Sequence, residues 1–294
     1  MTEKIFVTGA TGNVGREIIA ILPRRGATFR VGDRSPETMQ PIENAEAVPF
    51  DFLDRRTYRS AVTGCRTVFL LRPPAIANTR ATMNVFIDVA RTVGISQIVF
   101  LSVAGAASNP LVPHHAVEQH LRDGPPSWTI LRPSFFAQNL ESAYRADICN
   151  DDRLYVPAGR GRVAFIDTRD LAAVAVDALL DPSIHATQAY TLTEPATLSF
   201  AEVAALLTGE LGRAIRYDPA SVVGYIRHLL HNELPIAQAL VQAVLHVGLR
   251  FGQAATIDPT LARLLGRAPR RMTDYIHDRR NIWARREGGP SGHV

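Results

Sequence analysis

The stretch Ile5-Phe6-Val7-Thr8-Gly9-Ala10-Thr11-Gly12-Asn13-Val14-Gly15-Arg16-Glu17-Ile18-Ile19 decides the fold. Ile5, Phe6 and Val7 form a short apolar run that predicts a buried strand. Gly9, Gly12 and Gly15 follow at three-residue spacing, and Val14, Ile18, Ile21 and Leu22 then fall at helical spacing. Strand, glycine turn and helix in that order predict the start of a dinucleotide-binding unit, the competing reading being an ordinary tight turn. Gly9 permits a sharp turn where a side chain would clash. Gly12 leaves room for a pyrophosphate against the main chain, and Gly15 lets the helix sit close to the strand. The helix N-terminus offers unpaired N–H groups and a partial positive charge to the phosphates. The residues expected to hold the cofactor here are Gly9, Thr11, Gly12, Asn13, Val14 and Gly15, with Thr11 and Asn13 adding side-chain hydrogen bonds.

Further along, residues 28–31 predict a second strand that runs into Gly32-Asp33-Arg34-Ser35-Pro36. Asp33 lies 18 residues after Gly15, where an acid can grip an adenosine ribose and favours NAD. Arg34 beside it favours NADP through a charge-assisted phosphate contact. The reading adopted is NADP, with NAD as the alternative. A third strand, 47–50, ends in Asp51-Phe52, expected beside the adenine. A helix at 55–63 is closed by Gly64. The fourth strand, 67–71, ends at Arg72-Pro73-Pro74, so Leu71 and Arg72 are expected to border the cofactor. A helix at 78–93, a strand at 97–101 ending at Ser102, a helix opened by Pro113 and a strand at 128–131 complete the alternation.

Alternating strands and helices of these lengths imply an α/β fold, a Rossmann-type doubly wound parallel sheet. The expected NAD(P)-binding domain is 1–150, with sheet contributions from about 153–192. A helix at 137–149 closes the first stretch, and the later pieces are strands at 154–156, 164–166 and 189–192 and a helix at 169–180 that Thr168 can cap. Residues 193–294 are expected to form a smaller, mainly helical C-terminal substrate lobe. Its elements are a Ser-capped helix at 199–211, a strand at 214–217, helix through 221–247, where Pro235 is almost the only turn signal, and short helices at 261–266 and 273–286. The cleft between domain and lobe is where a small-molecule substrate is expected.

Composition narrows the function classes. Of 294 residues, 46% are hydrophobic, enough for a sizeable core. Cys65 and Cys149 are too few for a disulfide framework and lack metal-ligand spacing. No charged-then-apolar segment precedes Ile5 and no apolar run reaches membrane-spanning length, so the expected location is cytoplasmic. The net charge of +4 owes much to Arg267, Arg270, Arg271, Arg279, Arg280, Arg285 and Arg286, read as a solvated basic tail. No nucleic acid and no membrane partner is expected, and a homodimer is left open. Lys4 is the only lysine, so no tyrosine has a lysine four residues on, and the YxxxK pair of short-chain dehydrogenases is absent. His114, His115, Glu118 and His120 invite a metal reading, but only His114 and Glu118 share a helix face. Two ligands on one turn do not make a site, so no metal is expected.

These residues resemble the NmrA-like, or atypical short-chain dehydrogenase/reductase, family. The matching pieces begin with Val7-Thr8-Gly9-Ala10-Thr11-Gly12-Asn13-Val14-Gly15, whose GxxGxxG spacing suits short-chain rather than long-chain dehydrogenases. They continue with Phe50-Asp51, Val68-Phe69-Leu70-Leu71-Arg72-Pro73-Pro74, Phe100-Leu101-Ser102 and Val117-Glu118-Gln119-His120-Leu121. Thr129-Ile130-Leu131-Arg132-Pro133-Ser134-Phe135-Phe136-Ala137-Gln138-Asn139-Leu140 and Phe165-Ile166-Asp167-Thr168-Arg169-Asp170-Leu171-Ala172 extend the match to about residue 216. The resemblance implies NAD(P) binding and adds Pro133 to the cofactor-binding residues. It implies hydride transfer between a nicotinamide and a small quinone-like or conjugated carbonyl substrate. The alternatives are a non-catalytic NAD(P)-sensing regulator and a non-redox tailoring enzyme on the same scaffold.

Reductases of this family often carry a lysine seven residues before a buried apolar position on the helix preceding the sixth strand. Counting back from Leu121 reaches His114, which departs from that pattern. His114 is expected to hold the nicotinamide ribose or to donate a proton. Ser102, at a strand's carboxyl end, is the second expected catalytic residue and an expected cofactor contact, its rival role being to cap the following turn. Phe136, Asn139 and Tyr144, expected on the helix after the sixth strand, are the candidate substrate contacts. Asp170 is read as a structural group at its helix start.

Overall fold

Residues 4–284 are described by a computed structural model. In chain order the first elements are β1 (Lys4–Thr8), α1 (Asn13–Ile21), β2 (Phe29–Asp33), β3 (Ala45–Pro49), α2 (Arg56–Val62), β4 (Cys65–Leu71) and α3 (Met83–Thr92). Then come β5 (Gln97–Leu101), α4 (Pro113–Arg122), β6 (Ser127–Pro133), β7 (Phe135–Phe136), α5 (Arg145–Asn150), β8 (Arg153–Val156), β9 (Arg162–Val163) and β10 (Phe165–Ile166). The rest are α6 (Thr168–Leu180), α7 (Pro182–His185), β11 (Gln188–Leu192), β12 (Leu198–Ser199), α8 (Phe200–Leu211) and β13 (Arg216–Pro219). The last helices among the described residues are α9 (Val222–His231), α10 (Ile236–Arg250), α11 (Thr260–Leu265) and α12 (Met272–Arg279).

Seven strands form one parallel sheet in the order β11-β6-β5-β4-β1-β2-β3. The chain winds from β1 outward through β2 to β3, then returns to lay β4 on the other side of β1. The winding reverses between β1 and β4, and in such sheets the crevice outside the carboxyl ends of those two strands is where ligands bind. The glycine junction leaves β1 there, and Leu71 and Arg72 leave β4 there. The doubly wound α/β architecture is the one the sequence predicts.

The chain divides into two compact, interleaved units. The first comprises, among the described residues, 4–134, 168–192 and 258–269, and it holds the seven-stranded sheet. The second comprises, among the described residues, 135–167, 193–257 and 270–284.

In the first unit, Phe6, Phe50, Phe52, Tyr58 and Phe86 pack edge to face on one side of the sheet. Gly32 on β2 makes room for them, since a Cβ there would lie 2.7 Å from the Phe6 ring and 2.9 Å from Phe50 Cβ. On the other side α1 packs against α6, an almost wholly buried helix. Asp170, in the first turn of α6, accepts from Arg267 Nη2 at 2.6 Å. In the second unit Phe200, Tyr144, Tyr225, Tyr275 and Trp283 anchor a separate core. There Ser199 caps α8 with the reciprocal Glu202 bond of a capping box. The strand pairs β7–β10, β9–β12 and β8–β13 complete it.

Several boundaries differ from the sequence reading, each for a tertiary or local reason. The helix expected from residue 78 starts at Met83, because Asn78 holds the Ala81 N–H through Oδ1 and the Thr82 hydroxyl through its carbonyl. The helix expected over 137–149 is broken: Phe136 lies in β7, Asn139 in a short 3₁₀ turn, and α5 begins only at Arg145. The Trp283 indole N–H donates to Leu140 O inside that break. The strand expected at 164–166 is only Phe165–Ile166, set apart from β9 at Arg162–Val163 because the Ala164 N–H turns away to Ala254 O. The helix expected through 221–247 divides at residues 232–235, where Glu233 takes a positive φ of 61° ahead of Pro235. The last predicted helix ends at Arg279 with a 3₁₀ turn to Ile282, while Arg285 and Arg286 lie outside the described residues. Cys65 and Cys149 are free thiols. Among the described residues no helix is long and apolar enough to cross a membrane.

Candidate functional site

The glycine junction is built by close approach. Gly9 has φ +67° and a Cβ there would lie 3.0 Å from a Leu71 methyl. The Gly12 N–H donates to Gly9 O at 3.0 Å and closes the turn. A Cβ on Gly15 would fall 2.1 Å from Gly9 O and 2.7 Å from Ala10 Cα, so only glycine lets α1 start this near the loop. At Gly12 an added Cβ meets nothing nearer than Gly9 O at 3.3 Å, and Thr11 and Gly12 are exposed. The first helical bond of α1 runs from Arg16 N to Gly12 O. The N–H groups of Asn13, Val14 and Gly15 therefore have no partner within the helix. No side chain caps them and the first turn carries no acid. This open set of donors, with the positive end of a nine-residue helix behind it, fits a pyrophosphate.

At the end of β2, Asp33 Oδ1 accepts from the Ser35 N–H at 2.8 Å, so the carboxylate is turned onto its own loop. Arg34 is exposed and has no acidic partner among the described residues. After β3, Asp51 Oδ1 accepts from the Leu53 N–H at 2.9 Å. The Phe52 ring lies in the core, 4.8 Å from Phe50, and does not face solvent. Leu53, which sequence reasoning passed over, is the exposed apolar side chain of this loop. An apolar residue after a strand-ending acid was its only signal.

At the end of β4, Thr8 accepts from the Leu71 N–H and donates to Phe69 O, tying β1 to β4. Arg72 Nη1 donates to the carbonyls of Pro73, Pro74 and Ile76, which fixes the proline loop. Arg72 Nε donates to His114 Nε2 at 3.4 Å. His114 thus accepts at Nε2 and carries its proton on Nδ1, which is buried and has no partner. Burial, and then the Arg72 charge, pull the His114 imidazole down to about 3. It is neutral at physiological pH, so the expected proton-donor role has no imidazolium to draw on.

Ser102 is buried, and its hydroxyl donates to Glu118 Oε1 at 2.6 Å rather than capping the following turn. Arg132 donates to the same carboxylate through Nε at 2.9 Å and through Nη2. Burial pushes the Glu118 carboxyl up, but the Arg132 and Ser102 hydrogen bonds outweigh it and hold it below its ordinary value. His115 and His120 are engaged separately, His115 with Ala106 O and His120 with Asp88. Lys4 is at the far end of β1 from the glycine junction, paired with Glu46 at 3.0 Å.

The model of the NmrA-like family matches residues 1–275. The chain belongs to the NmrA-like family. It is 35% identical to an NAD(P)H azoreductase of Xenophilus azovorans, over 92% of this chain and 96% of that one. It is 30% identical to a (4-alkanoyl-5-oxo-2,5-dihydrofuran-3-yl)methyl phosphate reductase of Streptomyces griseus, over 95% of this chain and 99% of that one. Its fold is similar to that of an NADPH-dependent quinone oxidoreductase of Escherichia coli in complex with NADPH. That likeness has a TM-score of 0.83 and 23% identity, covering 93% of this chain and 99% of the other.

In this NmrA-like chain the remaining predicted residues lie as follows. Pro133 is buried at the end of β6, and its carbonyl accepts from the Ala104 N–H. Phe136 is half-buried and pairs with Ile166, and Asn139 is half-buried in its 3₁₀ turn. Tyr144 is 2% exposed, with its hydroxyl bonded to His246. It borders a cavity of about 170 Å³ inside the second unit, shared with Asp147, Tyr225, His228 and Gln242.

Proposed function

We propose that this chain is an NAD(P)H-dependent reductase that prefers NADPH and acts on small conjugated acceptors of the quinone or conjugated-carbonyl kind. One observation carries the reading: the glycine junction, with its unpaired N–H donors, stands at the reversal point of the sheet. Bound NADPH supplies the hydride. The N–H groups of Asn13, Val14 and Gly15 hold the pyrophosphate, with Thr11 and the Asn13 side chain beside them. Arg34, exposed and unpaired, takes the 2′-phosphate, while Asp33 is occupied by Ser35. Asp51 and Leu53 border the adenine. Leu71, Arg72 and Pro133 line the nicotinamide end, and His114 positions Arg72 there. Phe136 and Asn139 are the substrate contacts, and Tyr144 supports them from within its own unit.

The acceptor class follows from the protonation chemistry. Ser102 is committed to Glu118, Glu118 to Arg132, and His114 is neutral. None of the three is a ready acid. Reduction of a simple ketone leaves a strongly basic alkoxide that needs a proton donor in the transition state. A quinone or conjugated acceptor takes the hydride to give a delocalised anion, which water can protonate afterwards. The NAD(P)H azoreductase at 35% identity supports a conjugated acceptor.

The same scarcity of rim acids favours one second reading, an NAD(P)-sensing protein without turnover. Following NADPH absorbance with quinones, enones and azo dyes decides between them. Turnover with conjugated acceptors and none with isolated ketones is expected. No turnover with any acceptor, together with tighter binding of the oxidised cofactors, would establish the sensor instead.

A further inference from the structure

We propose that the exposed apolar face of α10, flanked by α9, is where a second copy of this chain docks. Ile236, Leu240 and Val244 stand in one row at four-residue spacing, with Val241 and Leu245 in the row beside it. All five are exposed, from 48% for Leu240 to 71% for Val244. The buried side of the same helix is Ala239, Ala243, His246 and Leu249. The helix therefore has apolar residues on both sides and a core against only one. Val222, Val223 and Leu230 on α9, which packs against α10, and Phe251 just beyond it add to the open surface.

The area matches what a dimer takes. Together these side chains leave about five large apolar residues' worth of surface open. At on the order of 100 Å² for each, that is about 500 Å². A standard interface takes about 800 Å² from each partner, roughly 60% of it apolar, or about 480 Å². A patch of about 500 Å² is as large as the largest that a typical monomer leaves open, and patches of that size are often functional.

The charge pattern selects the occupant. From Ile236 to Leu249 the helix has no Asp, Glu, Lys or Arg, and its one titratable group, His246, faces inward on Tyr144. A two-fold axis that sets α10 against its own copy brings no like charges of α10 together; the exposed Arg227 of α9, between Val223 and Leu230, stands at the flank of the patch. A different protein would find no charge here to recognise. A membrane-surface helix carries Lys and Arg along its polar face, whereas α10 has only Arg250, at its last position.

The test is sedimentation equilibrium of the full chain with NADPH, from low to high micromolar concentration. A mass twice 32.2 kDa is expected for the wild type. Val244→Asp and Leu240→Asp each place a charge against its own copy and should weaken the dimer by on the order of a hundredfold. Because both side chains are exposed, far-UV circular dichroism and NADPH affinity should stay as in the wild type. Leu111→Asp, on an exposed loop of the other unit, should leave the mass unchanged. A monomeric wild type overturns the proposal, as does a Val244→Asp dimer as tight as the wild type. So does a wild type that stays monomeric and floats with anionic vesicles, which would assign the face to a membrane. None of these outcomes bears on whether NADPH binds or turns over.

Discussion

The Ser102 hydroxyl donates to Glu118 across 2.6 Å, with both side chains out of solvent, and Arg132 closes the same carboxylate from the other side. A hydroxyl committed to a buried carboxylate is a poor donor to a substrate, so Ser102 holds Glu118 in place. Ser102→Ala should lower stability by about 1–2 kcal/mol, because one buried acceptor loses one of its donors. The kcat for a conjugated acceptor should stay within a few-fold of the wild type. Arg132→Leu should cost more, about 3–5 kcal/mol, because it leaves the buried charge without its cation. Since the folded Glu118 carboxyl is held below 4.5, the stability of this pair is fully present above that pH and is lost as the pH falls through the folded value. Chemical denaturation of the three proteins at neutral and acidic pH measures all of this. A large loss of kcat in Ser102→Ala at unchanged stability would return Ser102 to the chemistry.

The glycine junction separates a folding role from a binding role. Gly15→Ala drives a methyl to 2.1 Å from Gly9 O, where only movement of α1 can relieve it. A loss of roughly 1–3 kcal/mol of stability is expected, along with NADPH affinity. Gly12→Ala has only the 3.3 Å contact with Gly9 O to accommodate and should fold with little change. Its methyl stands over the surface proposed for the pyrophosphate, so NADPH affinity should fall on the order of tenfold or more, as judged by calorimetry. An unchanged affinity in Gly12→Ala would remove the pyrophosphate from this junction.

What the sequence shows plainly and what it hides divide along a physical line. The junction is legible because strand, turn and helix each leave a local mark: an apolar run, three spaced glycines and a helical period. Alternation of such units then implies a parallel sheet with its reversal point at β1 and β4. Side-chain partners leave no such mark. Ser102 and Glu118 are 16 residues apart and Tyr144 and His246 are 102 apart. The break at 137–144 depends on an indole 143 residues away. In each case the local pattern describes the segment's own character, strand end or helix, and a group distant in sequence is the partner that the pattern does not name.

Tyr144 illustrates the consequence. Sequence reasoning offers it as a substrate contact, yet its ring is 2% exposed and its hydroxyl bonds His246, whose Nδ1 in turn meets Gln242 O. Burial raises the Tyr144 phenol well above its ordinary value. Tyr144→Phe should keep the ring and lose the bond, costing about 1–2 kcal/mol of stability by leaving His246 Nε2 unpaired. KM for the acceptor should not change. A several-fold rise in KM at unaltered thermal stability would restore Tyr144 as a direct substrate contact.

His114 gives the sharpest pH test. In the unfolded chain its imidazole takes a proton near 6.5, while in the fold burial and the Arg72 charge hold it down to about 3. Between those values the unfolded chain binds the extra proton, so stability falls as the pH drops from about 6.5 toward 3. His246, lowered by burial to about 4, acts in the same direction. His114→Gln should flatten that slope by on the order of a few kcal/mol across the window. Denaturant midpoints taken at intervals of pH would measure it. For catalysis the expectation is opposite to that of a proton donor: kcat against pH should have no limb near 6–7 that depends on His114, and His114→Gln should keep the profile's shape. If a limb near pH 6–7 is present and vanishes in His114→Gln, the imidazole is titrating within reach of solvent. It would then be supplying the proton that the buried geometry denies it.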